Sequence, residues 1–268
     1  MFDTHDGRWV TPFGRVIEDV HKRAQMTWAE VLVNSSNIGM VQGTARLTHG
    51  QMRAGVLLFA FGSKTRLGLA GESAGLVTPL KRWSTYTQSS VASGYEVGVT
   101  PVQMMRAFCV FARTGELAGT LPELALEAVR NGDVRSSVRV RVLEPGIAEL
   151  AKEQMRKVAQ NMSDRIERAD PEAGALRYTM FGKSGTAEIA RPDGRGYYDD
   201  QYNSSFIAGA PIETPRIVVL VVIDDPGPSM IAQRRHYGSW AAGPVVRRVV
   251  ERSLEYLGVP GDVGGNLE

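Results

Sequence analysis

Two periodicities divide this chain. Over its first two thirds, apolar residues recur every three or four positions; near the C-terminus they fall into short runs of strand length. Residues 27–33 carry their apolar side chains on one helical face. Two more helical stretches follow at 37–47 and 49–61, with a polar turn between them, and Gly62 stops the second. The Gly- and Pro-punctuated segment 68–84 reads as loop. Thr100-Pro101-Val102-Gln103 is a strong helix start. Threonine stands at the N-cap, proline at the first helical position and glutamine closes a capping box. That helix is expected to reach about Arg113, with Gly115 ending it. A further amphipathic helix covers 147–158, begun near Pro145.

The pattern then changes. Residues 183–189, 204–210 and 217–223 read as three strands, separated by Asp193-Gly194-Arg195-Gly196 and by the Pro211 to Pro215 turn. Consecutive strands joined this way are expected to pair antiparallel. A closing helix at 243–257 has apolar positions Val245, Val246, Val249, Leu254 and Leu257. The Gly-rich residues 260–268 read as a flexible tail after a single domain at 1–259. Helices, then a meander, then a helix predict an α+β domain with helices packed on an antiparallel sheet.

Composition narrows the function classes. A chain of 268 residues can bury a substantial core. Net charge is +2, and the pairs Arg234-Arg235 and Arg247-Arg248 are isolated, so they read as solvated charges and not as a nucleic-acid footprint. The single cysteine, Cys109, lies in an apolar helical stretch and reads as a structural thiol. The four histidines lack metal-ligand spacing, so neither a metal nor a cofactor is expected. The longest aliphatic run, 217–223, is too short to span a membrane, and the polar N-terminus is no signal peptide.

Two short motifs point to chemistry. Lys183-Ser184-Gly185-Thr186 opens a strand. Far upstream, Ser35 and Asn37 form a Ser-x-Asn at the start of a helix. These are two of the three signatures of penicillin-recognising serine acyl-enzymes. An ammonium and two hydroxyls can hold a terminal carboxylate, bare Gly185 lets a substrate lie along the strand, and the Thr186 N–H can face a developing oxyanion. Ser35 can relay a proton and the Asn37 carboxamide can hold a substrate amide. Alone, the first motif could be a plain strand start and the second an ordinary N-cap. Their order and wide separation strengthen both. The third signature, Ser-x-x-Lys, is absent: Asp19, Phe61, Thr78, Glu149, Gln154 and Met180 stand three residues before the lysines.

Around these motifs the chain resembles the transpeptidase domain of class B penicillin-binding proteins. The resemblance rests on Thr11-Pro12-Phe13-Gly14-Arg15, Asn34-Ser35-Ser36-Asn37-Ile38-Gly39, Gly71-Glu72-Ser73-Ala74-Gly75, Gly94-Tyr95, Thr100-Pro101-Val102-Gln103, Ser204-Ser205-Phe206-Ile207-Ala208-Gly209 and His236-Tyr237-Gly238. It implies the fold shared by these proteins and serine β-lactamases, here incomplete at the N-terminus. It implies a peptidoglycan D,D-transpeptidase that cross-links stem peptides through a serine acyl-enzyme. Ser35, Asn37 and Lys183 would be catalytic, and Ser184, Gly185 and Thr186 would bind substrate. The implied partners are stem peptides ending in D-Ala-D-Ala, β-lactams and proteins of the division or elongation machinery. The implied location is the outer side of the cell membrane. The nucleophile helix, an anchor and two sheet strands are expected upstream of Met1. Residues 217–223 would then form an exposed apolar sheet edge prone to aggregation. Two other readings are a non-catalytic module that binds penicillin, peptide or division proteins, and a β-lactamase or β-lactam sensor on the same fold.

Overall fold

The structure is a computed structural model that describes residues 1–124, 138–194 and 196–263. The chain divides into two compact units. The first comprises residues 1–107 and 120–142, the second residues 108–119 and 143–268.

Unit one is helical, with short ladders between the helices. β1 (Phe2–Asp3) pairs with β4 (Gln25–Met26), and β2 (Arg8–Val10) with β3 (Val16–Glu18). The three expected helices follow as α1 (Trp28–Asn34), α2 (Asn37–Thr44) and α3 (His49–Leu58). Two begin with capping boxes, Thr27 with Glu30 and Thr48 with Gln51. Ile17, Ile38, Val41 and Ala92 form a buried cluster, joined by Trp9, Met40 and Met52. The expected loop at 68–84 contains β5 (Leu76–Val77), paired with β6 (Val97–Gly98), and one turn of 3-10 helix at Leu80–Arg82.

An unforeseen helix, α4 (Thr85–Ala92), follows. Its buried positions are largely polar, so no apolar stripe marks it in the sequence. Hydrogen bonds satisfy them instead. Gln88 Nε2 donates to the carbonyls of Thr44 and Leu47 at 3.0 and 2.8 Å. Arg15 Nη1 reaches the Ser89 and Ser90 hydroxyls at 2.6 and 2.7 Å. α5 (Pro101–Ala112) starts with the expected box: Thr100 N–H donates to Gln103 Oε1 at 2.8 Å, and Gln103 N–H to Thr100 Oγ1 at 3.2 Å. β7 (Thr120–Pro122) and β8 (Val138–Arg141) complete this unit.

Unit two is a three-stranded antiparallel sheet with helices packed on it. β9 (Phe181–Ala190), β10 (Tyr197–Ala210) and β11 (Ile217–Asp224) lie in the order β11-β10-β9. The antiparallel meander is as expected, although β10 begins seven residues earlier than its apolar run. Arg195, in the turn before it, lies outside the described residues. β11 does occupy one edge, with Val222 46% exposed.

α6 (Pro145–Ala169) packs along β9 and runs well past the expected end near residue 158. Buried Ala159, Met162 and Ile166 maintain the 3–4 spacing through a polar stretch, and nothing breaks the helix before Pro171. Two short helices, α7 (Pro228–Ala232) and α8 (Gly238–Ala241), precede α9 (Gly243–Tyr256), which packs against β10 and β11. The α9 core face differs from the expected one. Val246, Val250 and Leu254 are buried, whereas Val245, Val249 and Leu257 are exposed. Arg247, read as a solvated charge, is also buried. It pairs with Glu167 at 3.2 Å and donates to the Gly174 carbonyl.

The expected loose tail is tied down as far as residue 263. Thr179 N–H and hydroxyl both donate to the Asp262 carboxylate, and Asp262 N–H donates to the Arg177 carbonyl at 3.1 Å. Residues 264–268 lie outside the described residues. No helix among those described is long and apolar enough to cross a membrane.

Candidate active site

Ser35 and Asn37 flank the break between α1 and α2. α1 ends because Ser35 turns into the left-handed region, φ 54° and ψ 45°, at a cost of roughly 1 kcal/mol for a residue with a Cβ. Ser36 N–H then returns to the Val31 carbonyl at 3.0 Å. Buried Ser36 caps α2, its Oγ accepting from Gly39 N–H at 2.9 Å. This turn leaves Ser35 exposed and sets Asn37 at the first position of α2.

The segment after β3 clamps this turn from the side. Buried Asp19 accepts from Ser36 Oγ at 2.5 Å and from Ile38 N–H at 3.1 Å. Asn37 Nδ2 donates to the Glu18 carbonyl at 3.0 Å. A carboxylate holding two donors beside a helix N-terminus is a strong, geometrically exact anchor. Asp19 was not foreseen, because nothing local connects it to a turn 17 residues away. Ser36 could have been found from the N-cap rule alone.

Lys183, Ser184, Gly185 and Thr186 lie on β9, opposite Ile207, Phe206, Ser205 and Ser204 of β10. Lys183 Nζ donates to the Ser184 carbonyl at 2.9 Å, and burial lowers the ammonium pKa from 10.5 to about 8. At neutral pH it remains mostly charged, as anion binding requires, yet it lies within reach of proton-transfer chemistry. A Cβ on Gly185 would meet one atom, Ser205 Oγ at 2.7 Å, so a side chain there would force that hydroxyl to turn away.

The segment 236–238 buttresses the strand. Gly238 N–H donates to Thr186 Oγ1 at 3.0 Å, and Gly238 sits so close to the Gly185 and Ser205 carbonyls that no Cβ fits. Ser204 Oγ donates to the His236 carbonyl. The His236 ring stacks on Tyr202 and packs at a tilt against Tyr237, with centroids 4.5 and 4.3 Å away. Burial lowers the His236 pKa, with Asp200 pulling the other way. Sequence reasoning assigned no supporting role to Gly238 or Ser204.

The remaining nucleophile candidate is quiet. Burial raises the Cys109 thiol to about 11, so almost no thiolate exists at neutral pH. Among the described residues, no group of histidine, cysteine and carboxylate side chains could hold a metal ion.

Residues 2–251 match the family model described as the penicillin binding protein transpeptidase domain. The chain is 30% identical to Probable peptidoglycan D,D-transpeptidase PbpC of Pseudomonas aeruginosa, over 95% of this chain and 41% of that protein. It is 27% identical to the peptidoglycan D,D-transpeptidase FtsI of Escherichia coli, over 93% of this chain and 39% of that one. The chain thus spans well under half the length of either relative. Among solved structures it resembles the transpeptidase domain of Burkholderia pseudomallei penicillin-binding protein 3, with TM-score 0.76 and 27% identity, covering 98% of this chain and 73% of the other. It also resembles Mycobacterium tuberculosis penicillin-binding protein 3 complexed with aztreonam, with TM-score 0.74 and 25% identity, covering 95% and 57%.

Proposed function

Since this chain belongs to the penicillin-binding protein transpeptidase family, class B, we propose that it is the motif-bearing portion of a peptidoglycan D,D-transpeptidase. A donor stem peptide ending in D-Ala-D-Ala acylates a serine with loss of the terminal D-Ala. An acceptor amine then attacks the acyl-enzyme, forming the cross-link and releasing the serine. Lys183 and the Ser184 hydroxyl hold the donor's terminal carboxylate. The Thr186 N–H serves the oxyanion, a donor whose removal typically costs about 3 kcal/mol of barrier. Ser35 relays the proton and Asn37 holds the donor amide. β-Lactams occupy the same place as donor mimics.

The observation that carries this reading is the partly desolvated ammonium of Lys183 on the Lys-Ser-Gly-Thr strand, with its pKa lowered to about 8. No Ser-x-x-Lys occurs within these 268 residues; in this reading the acylated serine is supplied from outside them. That absence also favours a second reading, a non-catalytic module that binds peptide, β-lactam or division proteins. We assign the parent protein to the outer face of the cell membrane, where the polymer is built.

Fluorescent penicillin, with intact mass spectrometry, decides between the readings. The chain alone is expected to remain unlabelled. A longer form that includes a preceding Ser-x-x-Lys is expected to gain the mass of one β-lactam, and Lys183→Ala should reduce its labelling rate at least 100-fold. An unlabelled longer form would leave only the non-catalytic reading.

A further inference from the structure

Unit two holds a cationic cluster that the strand motif does not use. Arg165 on α6 donates from Nη1 to Ser239 Oγ at 2.9 Å, and its guanidinium carbon lies 5.2 Å from the centre of the Trp240 ring. The guanidinium carbon of Arg235 lies 5.1 Å from the same ring. Arg168 follows one helical turn after Arg165 and donates its Nε to the Asp164 carbonyl at 2.9 Å.

The frame under the cluster is rigid. Arg165 stands three positions beyond buried Met162 on a 25-residue helix. Arg235 follows Arg234, whose φ of 53° closes α7, and its N–H is fixed to the Met230 carbonyl at 2.7 Å. Ser239 and Trp240 lie on α8, whose first residue, Gly238, is bonded to Thr186.

Four other arginines of this unit have counter-charges among the described residues: Arg156 has Glu153, Arg177 has Glu255, Arg191 has Asp199 and Arg247 has Glu167. Among the described residues, no carboxylate lies at ion-pair distance from Arg165 or Arg235. Burial and the positive charge of Arg168 both lower the Arg165 pKa. Two guanidiniums held against one indole concentrate positive charge there, and a bound oxyanion offsets it. Guanidinium forks fit planar carboxylates and phosphates bidentately, and the Ser239 hydroxyl adds a further polar contact.

We propose that Arg165, Arg235, Ser239 and Trp240 form a second binding site, which takes a phosphate or carboxylate group of an extended anionic ligand. The site is independent of acyl transfer. Its test uses the whole 15N-labelled chain and the indole N–H resonance of Trp240, assigned with Trp240→Phe. One arm titrates sodium pyrophosphate, the other a tri-glutamate peptide. A saturable shift of this resonance is expected in at least one arm, and the arm that saturates identifies the oxyanion class. R165Q/R235Q should weaken that affinity at least tenfold. R235Q alone, on an exposed side chain, should weaken it without changing the melting temperature. Absence of saturation in both arms, or unchanged affinity in both variants, would overturn the proposal. Neither result bears on penicillin labelling, so the two readings stand or fall separately.

Discussion

Lys183→Met separates what this side chain does for chemistry from what it does for the fold. Methionine retains an apolar stem of similar length and removes the ammonium. Burial lowers that ammonium from 10.5 to about 8. Between these values the folded protein binds fewer protons than the unfolded chain. The contribution of Lys183 to stability is therefore least favourable below about pH 8 and improves as pH climbs toward 10.5. The full shift would correspond to roughly 3 kcal/mol, and the partial exposure of Lys183 reduces this to about 1–2 kcal/mol. Loss of the Nζ bond to the Ser184 carbonyl works in the opposite direction, but that oxygen keeps a second lone pair for water. The variant should thus be more stable than the parent by about 1 kcal/mol at pH 7, with the advantage fading by pH 10.5. The assay is urea unfolding of both proteins at pH 7, 8.5 and 10, followed by far-UV circular dichroism and tryptophan fluorescence. Contributions common to both proteins cancel in the difference. A variant less stable than the parent at pH 7, or a difference that does not change with pH, would refute the reasoning.

Other substitutions probe the supports of each motif. Asp19→Ala strands the Ser36 hydroxyl and the Ile38 N–H in a buried place, so unit one should lose about 3 kcal/mol in urea unfolding. Asp19→Asn keeps one acceptor and should lose about half as much; a loss equal to that of Asp19→Ala would show that the carboxylate charge, and not the retained acceptor, holds the turn. Gly238→Ala drives a Cβ into the Gly185 and Ser205 carbonyls, so the 236–238 segment must lift off β9. Melting should fall by several degrees, about 2–3 kcal/mol of overpacking. The Thr186 amide resonance should move as Gly238 N–H leaves Oγ1. An unmoved Thr186 resonance would separate the segment from the strand motif.

What the sequence disclosed and what it concealed follow from the range of the interactions. α5 was legible because its start is written within four residues, as the capping box at Thr100; α1 was legible from its apolar face, and the boxes at Thr27 and Thr48 are equally local signals that the structure brought out. The three strands were legible because apolar runs flanked by turn residues are also local. Polar burial is not local. α4 lacks an apolar face because Gln88, Ser89 and Ser90 bury their polar groups against Arg15 and the carbonyls of Thr44 and Leu47. The candidate site divides in the same way. Its motif residues could be read directly, but Asp19, Ser204 and Gly238 act across 17 to 52 positions.

α9 shows why even a correctly placed helix can be turned wrongly. Val245, Val246, Val249 and Val250 together span so wide an arc that hydropathy alone does not choose a face. Gly243 chooses it. A Cβ there would lie 2.9 Å from Met162 of α6, so the helix begins with its bare residue against that side chain. Val246, Val250 and Leu254 follow Gly243 at three, seven and eleven positions and must turn inward with it. Arg247 lies on the same arc, which is why an apparently ordinary surface charge is buried and matched by Glu167. The contact that orients the helix thus also determines which of its arginines requires a partner.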